Sequence, residues 1–344
     1  MRTIRWLVAA VCVAAGALAT TAGSAQAAII VVNPGQSIQA AVDAANPGDT
    51  ILVRPGTYRQ QVVIQKSGIK LQGTLAAILP PAQLTSPCGP IAICVVGDVD
   101  FDTGEIFDYV HAVTVTGFSV SGFDDSGIFA YGADHATFTN NRSTDNGAYG
   151  LVAFASIGTT MAGNTARHNG EAGLYIGDSP AADVSLHDNS SLDNTFGVLF
   201  RNAGGGSIRH NGISHNCAGI FVLADAPGPA GAVTIESNTV NGNSAACDSE
   251  DAGPISGAGI VLAGADHVLV HANTVQFNTP SGFSFLQGGI IVTSGPGGTS
   301  AEFDTIAGNI VLHNSPDLYW DGLGHGNVWR FNTCQTSIPG GLCH

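Results

Sequence analysis

The chain is poor in charge. Asp, Glu, Lys and Arg make up 11% of its 344 residues, against roughly 25% in ordinary domains. Coiled coils and charge-laced helical bundles are excluded on that ground. Basic residues are the scarcer kind: 11 Lys and Arg face 26 Asp and Glu, for a net charge of −15. That balance excludes a nucleic acid partner, because phosphate binding needs a basic surface. Polyanionic polysaccharides meet the same repulsion unless a cation bridges them. Methionine occurs only at Met1 and Met161, and no Cys-x-x-Cys pair is present. A thiolate metal site or a Met-rich copper site therefore lacks its ligands. No nucleophile elbow, phosphate loop or dinucleotide fingerprint occurs.

What is present is apolar and glycine-rich. Apolar residues reach 44%, and there are 46 Gly, nearly twice the usual share, without the strict three-residue period of collagen. Residues 1–27 read as a signal peptide. Arg2 and Arg5 lead a small, apolar run from Leu7 to Thr20, and Ala25-Gln26-Ala27 fits a cleavage site. The run is shorter than the ~20 residues of a membrane span, and no later stretch is long and apolar enough to make one. A secreted or extracellular location follows. Six cysteines then remain, an even set suited to disulfides in an oxidising compartment. Proximity favours Cys88–Cys94, Cys217–Cys247 and Cys334–Cys343 among the 15 connectivities six cysteines allow.

An internal repeat determines the fold class. Asn-x4-Asn recurs at Asn141/Asn146, Asn164/Asn169, Asn189/Asn194, Asn211/Asn216, Asn238/Asn243, Asn273/Asn278, Asn309/Asn314 and Asn327/Asn332. A Gly follows the first Asn by eight or nine residues at Gly150, Gly173, Gly197 and Gly219, and Gly259 and Gly289 take the same place after insertions. Short stretches such as Val184–His187 alternate apolar and polar residues, which argues for strands. Each unit thus holds about three short strands and cannot bury its own apolar face. Stacked coils can, with like positions ~4.8 Å apart. Paired Asn then form internal ladders, each amide bonding its counterpart and its own turn. Asp there would stack like charges. Phe118 and Phe123 keep the five-residue spacing and begin the stack.

These residues, with the block Val31–Tyr58, resemble the right-handed parallel β-helix proteins of the pectate-lyase-like superfamily. The resemblance covers nearly all of 29–333. It implies an all-β, single-stranded right-handed parallel β-helix solenoid with an N-terminal capping helix, formed by Ser37-Ile-Gln-Ala-Ala. Ser37 reads as its N-cap, Ile38, Ala41 and Val42 as its apolar stripe, and Pro47-Gly48 as its stop. Residues 28–344 form one domain of 11 or 12 coils, about 50 Å long, closed by a cap at about 316–344. Insertions are expected at 79–110, 224–232, 244–257 and 293–302.

The fold hosts lyases, hydrolases, epimerases and binding proteins, so the site must carry the function. The Asp-rich and Gly-His-Gly arrangement of related polygalacturonases has pieces here, Asp124-Asp125 and Gly324-His325-Gly326, at opposite ends of the rod. Tyr131-Gly132-Ala133-Asp134-His135 resembles the Tyr-Gly-x-Asp-Pro-His motif of related mannuronan epimerases but lacks the Pro. Gly264-Ala265-Asp266-His267 repeats its later part, as turn residues would. A copper-binding periplasmic family shares the repeat, but no Met or His cluster is present here.

Three columns stand out when the coils are aligned. The residue before the second Asn reads Asp145, His168, Asp193, His215, with Arg167 adjacent. Alternating Asp and His can supply a general acid and base or bind a divalent metal; the plain alternative is a polar turn face. A second column, His187, Arg209, Glu236 and His271, reads as surface charge pairing. The third, Phe129, Val152, Tyr175, Leu199, Phe221, Val261 and Ile291, points outward. It predicts an apolar stripe covered by insertions or used for self-association. Asp98, Asp100, Asp102 and Glu105 form the best cation candidate, for Ca2+, although the Gly is one place late for an EF-hand loop. These readings favour a secreted protein that binds extracellular polysaccharide or a cell-surface glycan. A polysaccharide lyase or hydrolase, and a non-catalytic structural or protein-interaction role, are the alternatives.

Overall fold

In the computed structural model, residues 27–225, 229–249 and 252–343 are described. The signal-peptide reading, apart from Ala27, lies outside them. The single helix among them, α1, spans Ile38–Ala44 and buries Ile38, Ala41 and Val42. The Ser37 side chain caps it by accepting from Ala40 N at 3.1 Å. All else among the described residues is turn, loop and strand, most strands being short.

The strands wind into a parallel β-helix of three-stranded coils. The inward position of the first strand runs in register through Ile30, Ile51, Leu71, Val115, Phe138, Met161, Leu186, Ile208, Ile235, Val270, Ile306 and Trp329. These rungs form one apolar core along the rod. The helix α1 packs its apolar stripe on the first coil, where strand edges would otherwise lie open.

The Asn ladders run the length of the stack. In the first, Nδ2 of Asn141, Asn164, Asn189, Asn211, Asn238, Asn273 and Asn309 each donates to Oδ1 of the next, ending on Asn332. The second runs from Asn146 to Asn314 and ends on Asp317. The backbone N–H groups of Phe118 and Phe123 donate to Asn141 and Asn146, so this pair heads the two ladders, while the stack itself begins three coils earlier at Ile30. One assignment changes. Asn332 continues the first ladder from Asn309, and Asn327 is not its partner. Asn327 serves another turn, where its Oδ1 accepts from Asp304 N. The coil keeps the ordinary 23 residues from Asn309 to Asn332, and spacing alone joined residues from two different turns.

The glycine column faces the second ladder. A Cβ on Gly197 would lie 2.3 Å from Ile213 Cγ2 and 3.0 Å from Asn216 Nδ2, and Gly150 and Gly259 are crowded alike. Glycine is required there by space.

The disulfides are Cys88–Cys94, Cys217–Cys247 and Cys334–Cys343. Two insertions are antiparallel hairpins, Asp98–Val99 with Ile106–Asp108 and Cys247–Ser249 with Gly253–Ile255. A further loop, 279–287, escapes the sequence reading.

Of the two readings of the outward stripe, cover by an insertion holds. The stripe's residues do point away from the coil interior, but Val152, Tyr175, Leu199, Phe221, Val261 and Ile291 are all buried, and Phe129 is half-buried. They build a second core outside the third-strand sheet, with Phe196, Ile255 and Leu286. The 247–255 hairpin covers it, tethered by Cys217–Cys247 and by Ser249 Oγ, which donates to Glu171 at 3.2 Å. Self-association through Phe129, Val152, Tyr175, Leu199 and Phe221 therefore has no surface to use.

Candidate functional site

The residues before the second Asn ladder lie on the turn joining the second and third strands. Asp145, His168, Asp193, His215, Phe277 and His313 all take positive φ, between 57° and 62° except His168 at 55° and Phe277 at 56°. Gly242 does the same at 62°. Among side-chain-bearing residues, Asn, Asp and His tolerate this left-handed turn best. Turn geometry thus accounts for the residue types, though not for the alternation of charge.

The alternation has contacts. His168 Nδ1 lies 3.4 Å from Asp145 Oδ1, and its Nε2 lies 3.5 Å from Asp193 Oδ2. Arg167 Nε donates to Asp193 Oδ2 at 2.9 Å. Four side chains from three coils are therefore brought together as Asp145, His168, Asp193 and Arg167. Both imidazole nitrogens face carboxylates on a half-exposed ring. His215 joins Asp193 in a shallow depression of about 290 Å3, walled by Ala245 and the Cys217–Cys247 disulfide. Towards the C-terminus the column turns aromatic: Phe277 and His313 stack at 4.9 Å with an interplanar angle of 15°. The whole strip spans seven coils, roughly 30 Å at the strand spacing. The sequence reading missed His313; extending the repeat one coil beyond Phe277 finds it.

The acidic loop is not gathered around a centre. Asp100 accepts from the backbone of Asp102 at 2.9 Å and of Thr103 at 3.2 Å. Those bonds hold its carboxyl below the ordinary range. Among the described residues no group of three or more His, Cys, Asp or Glu is placed to hold a metal ion. Asp98, Asp102 and Glu105 thus do not join Asp100 in a cation cage. Asp98 lies in the hairpin strand, and Asp100 closes an Asx turn at its tip.

The Tyr131–His135 segment divides. Tyr131 packs its ring against Phe101, Phe129 and Phe154. Asp134, in the short strand Ala133–Asp134, accepts from His111 Nδ1 at 2.9 Å and contacts His135 Nδ1. Burial raises the Asp134 pKa, but the two imidazoles outweigh it and leave the group below the usual carboxylate range. Asp266 and His267 repeat the pairing at 2.7 Å, which fits a turn motif. The second outward column pairs only weakly, with His271 Nδ1 3.8 Å from Glu236 Oε1.

A family model described as the right handed beta helix region matches residues 126–306. The chain belongs to the right-handed β-helix family. Solved structures similar to this β-helix include the A-module of mannuronan C-5 epimerase AlgE6 from Azotobacter vinelandii. It is 16% identical over 87% of this chain and 92% of that one, with a TM-score of 0.57. A family 28 exopolygalacturonase from Yersinia enterocolitica is 12% identical over 91% and 77%, with a TM-score of 0.55. Pectate lyase Pel9A is 17% identical over 92% and 79%, with a TM-score of 0.50. No curated protein matches the β-helix by sequence. At these identities the likeness is one of fold.

Proposed function

We propose that the protein is exported and binds an extracellular polysaccharide along the turn strip from Asp145 to His313. The observation that carries this reading is the strip itself. Hydrogen-bonding and charged groups recur coil by coil, then give way to the exposed Phe277–His313 stack. A linear polymer of sugars offers hydroxyls and flat C–H faces at regular intervals, and this strip offers partners for both. The neighbours' names, an epimerase, a polygalacturonase and a lyase, support a polysaccharide ligand. The three disulfides support export. Binding is favoured over processing because the motifs of related polysaccharide-acting enzymes are incomplete here: Asp124-Asp125 and Gly324-His325-Gly326 lie about 200 residues apart, and Tyr131–His135 lacks the Pro.

The test is a panel of neutral and acidic polysaccharides, assayed for pull-down and for new reducing ends or unsaturated products, with and without Ca2+. Retention of at least one polymer without product is expected. Retention should fall about tenfold in His168→Ala and Phe277→Ala, while thermal unfolding stays near wild type. Product formation would transfer the protein to the lyase or hydrolase class. Retention unchanged in both variants would remove the strip from the reading.

A further inference from the structure

The outward row of the third strand does not stay covered to the end. It is buried through Ile291, then continues in register to Tyr319 and Ile338. Tyr319 is half-buried and Ile338 is exposed. Beyond the hairpin, the row emerges into a cavity of about 300 Å3. Its walls are Tyr319 and Ile291 below, Phe285 and Gln287 from the 279–287 loop, and Thr293 on the adjoining strand. No charged side chain lines it.

The overhanging loop is held in place. Phe285 N donates to Pro254 O at 3.0 Å, and Ser256 N donates to Ser284 Oγ at 2.9 Å. The Phe285 ring also sits against Gly253, where a Cβ would come within 3.0 Å. The loop therefore leans on the hairpin. Asp321, which follows Tyr319 by two residues, is engaged: its Oδ2 accepts from Ser294 N at 2.7 Å, Ser294 Oγ at 3.0 Å and Thr293 Oγ1 at 3.2 Å.

We propose that this cavity binds an uncharged sugar ring. Aromatic and aliphatic walls suit the C–H face of a pyranose, and the Gln287 amide and Thr293 hydroxyl suit its hydroxyls. A volume near 300 Å3 lies at the small end of ligand pockets, which fits one sugar unit and not a long segment. Uronates and sulfated sugars are disfavoured, because the lining supplies no cation and the chain carries −15. An adjoining depression shares Gln287, Pro316 and Ile338 with the cavity and is lined by Asn314, the residue after His313. A polymer lying on the strip would thus deliver its terminal unit here. That last connection rests on the proposed function; the cavity's preference for a neutral sugar does not.

Isothermal titration with neutral oligosaccharides of two to four units and matched uronate oligomers tests the inference. The neutral panel is built from glucose, mannose, galactose and N-acetylglucosamine. At least one neutral oligomer is expected to bind ten times more tightly than any uronate. Tyr319→Ala and the milder Gln287→Ala should each weaken it at least fivefold, and His168→Ala should leave it unchanged. Absence of binding across the neutral panel, equal binding of uronates, or insensitivity to both cavity variants would overturn it. Loss of polymer retention in His168→Ala with intact short-oligomer binding separates the strip from the cavity.

Discussion

The side-chain amide of Asn238 donates to Oδ1 of Asn273 at 2.9 Å although 35 residues separate them. Between the two, the chain leaves the stack, forms the 247–255 hairpin and returns. The second ladder is equally unbroken across that excursion, with Asn243 Nδ2 donating to Asn278 at 3.0 Å. The ladders, and not the coil length, hold the register.

Replacing that amide tests the ladder directly. Asn238→Asp keeps the shape and the acceptor oxygen but loses the bonds from Nδ2 to Asn273 Oδ1 and to Ile208 O. An ionised, buried carboxylate then faces two acceptors. A loss of about 2–4 kcal/mol at neutral pH is expected in urea unfolding. Burial raises the new acid's folded pKa, so stability falls as pH rises above about 4. Part of the loss should return in acid, where the carboxyl can donate once.

The glycine column should be intolerant of a methyl group. A Cβ at Gly219 would lie 2.5 Å from both Gly259 O and Val240 Cγ1. Gly219→Ala is expected to cost about 1–3 kcal/mol through overpacking. Gly212→Ala meets nothing within 4 Å and should be neutral or slightly stabilising. Equal effects at the two sites would show that space is not what selects glycine.

The hairpin over the second core is an outer layer, so it should loosen before the coils do. Replacing Cys217 and Cys247 together by Ser removes its tether. Faster proteolysis within 247–255 and increased binding of an apolar dye are expected, as Val152, Leu199 and Phe221 become accessible. The loss should be on the order of 2–4 kcal/mol. A wild-type proteolysis rate would mean that the Ser249–Glu171 bond and apolar packing hold the hairpin unaided.

Asp304 predicts a pH dependence. It is fully buried, its Oδ1 accepts from Val268 N at 2.8 Å, and its Oδ2 has no partner. Burial pushes its pKa up to about 7, against the Val268 bond and with help from Asp266. The folded state then holds a proton that the unfolded chain releases near pH 4. Stability from this group is full in acid, falls as pH rises between about 4 and 7, and levels off above. Asp304→Asn should flatten that slope and raise the unfolding midpoint at neutral pH. A slope unchanged in the variant would place its origin in other groups.

The repeat was legible because it is a local pattern with a long-range cause. Ser37, the paired Asn, the glycine column and the even cysteine set each answer to a nearest-neighbour requirement: a cap, a turn, a close approach, a short loop. The alternation of Asp145, His168, Asp193 and His215 was also visible once the coils were aligned. Asn327 was misassigned because the same spacing arises across two turns of the last coil. Alternation correctly put the stripe outside the coil, but it says only which way a side chain points.

The amino-acid sequence by itself determined the coil and most of its register, since every coil meets only its neighbours and spacing carries that information, and it favoured the disulfide partners by proximity. What covers the coil was decided in three dimensions. The 247–255 hairpin reaches Glu171, 78 residues upstream, and no period in the sequence relates the two. The same holds for the cavity at Tyr319, whose upper wall comes from 279–287, and for the carboxyl oxygen left without a partner at Asp304. Such contacts depend on how an irregular insertion folds back over a regular surface, and only the tertiary structure sets that path.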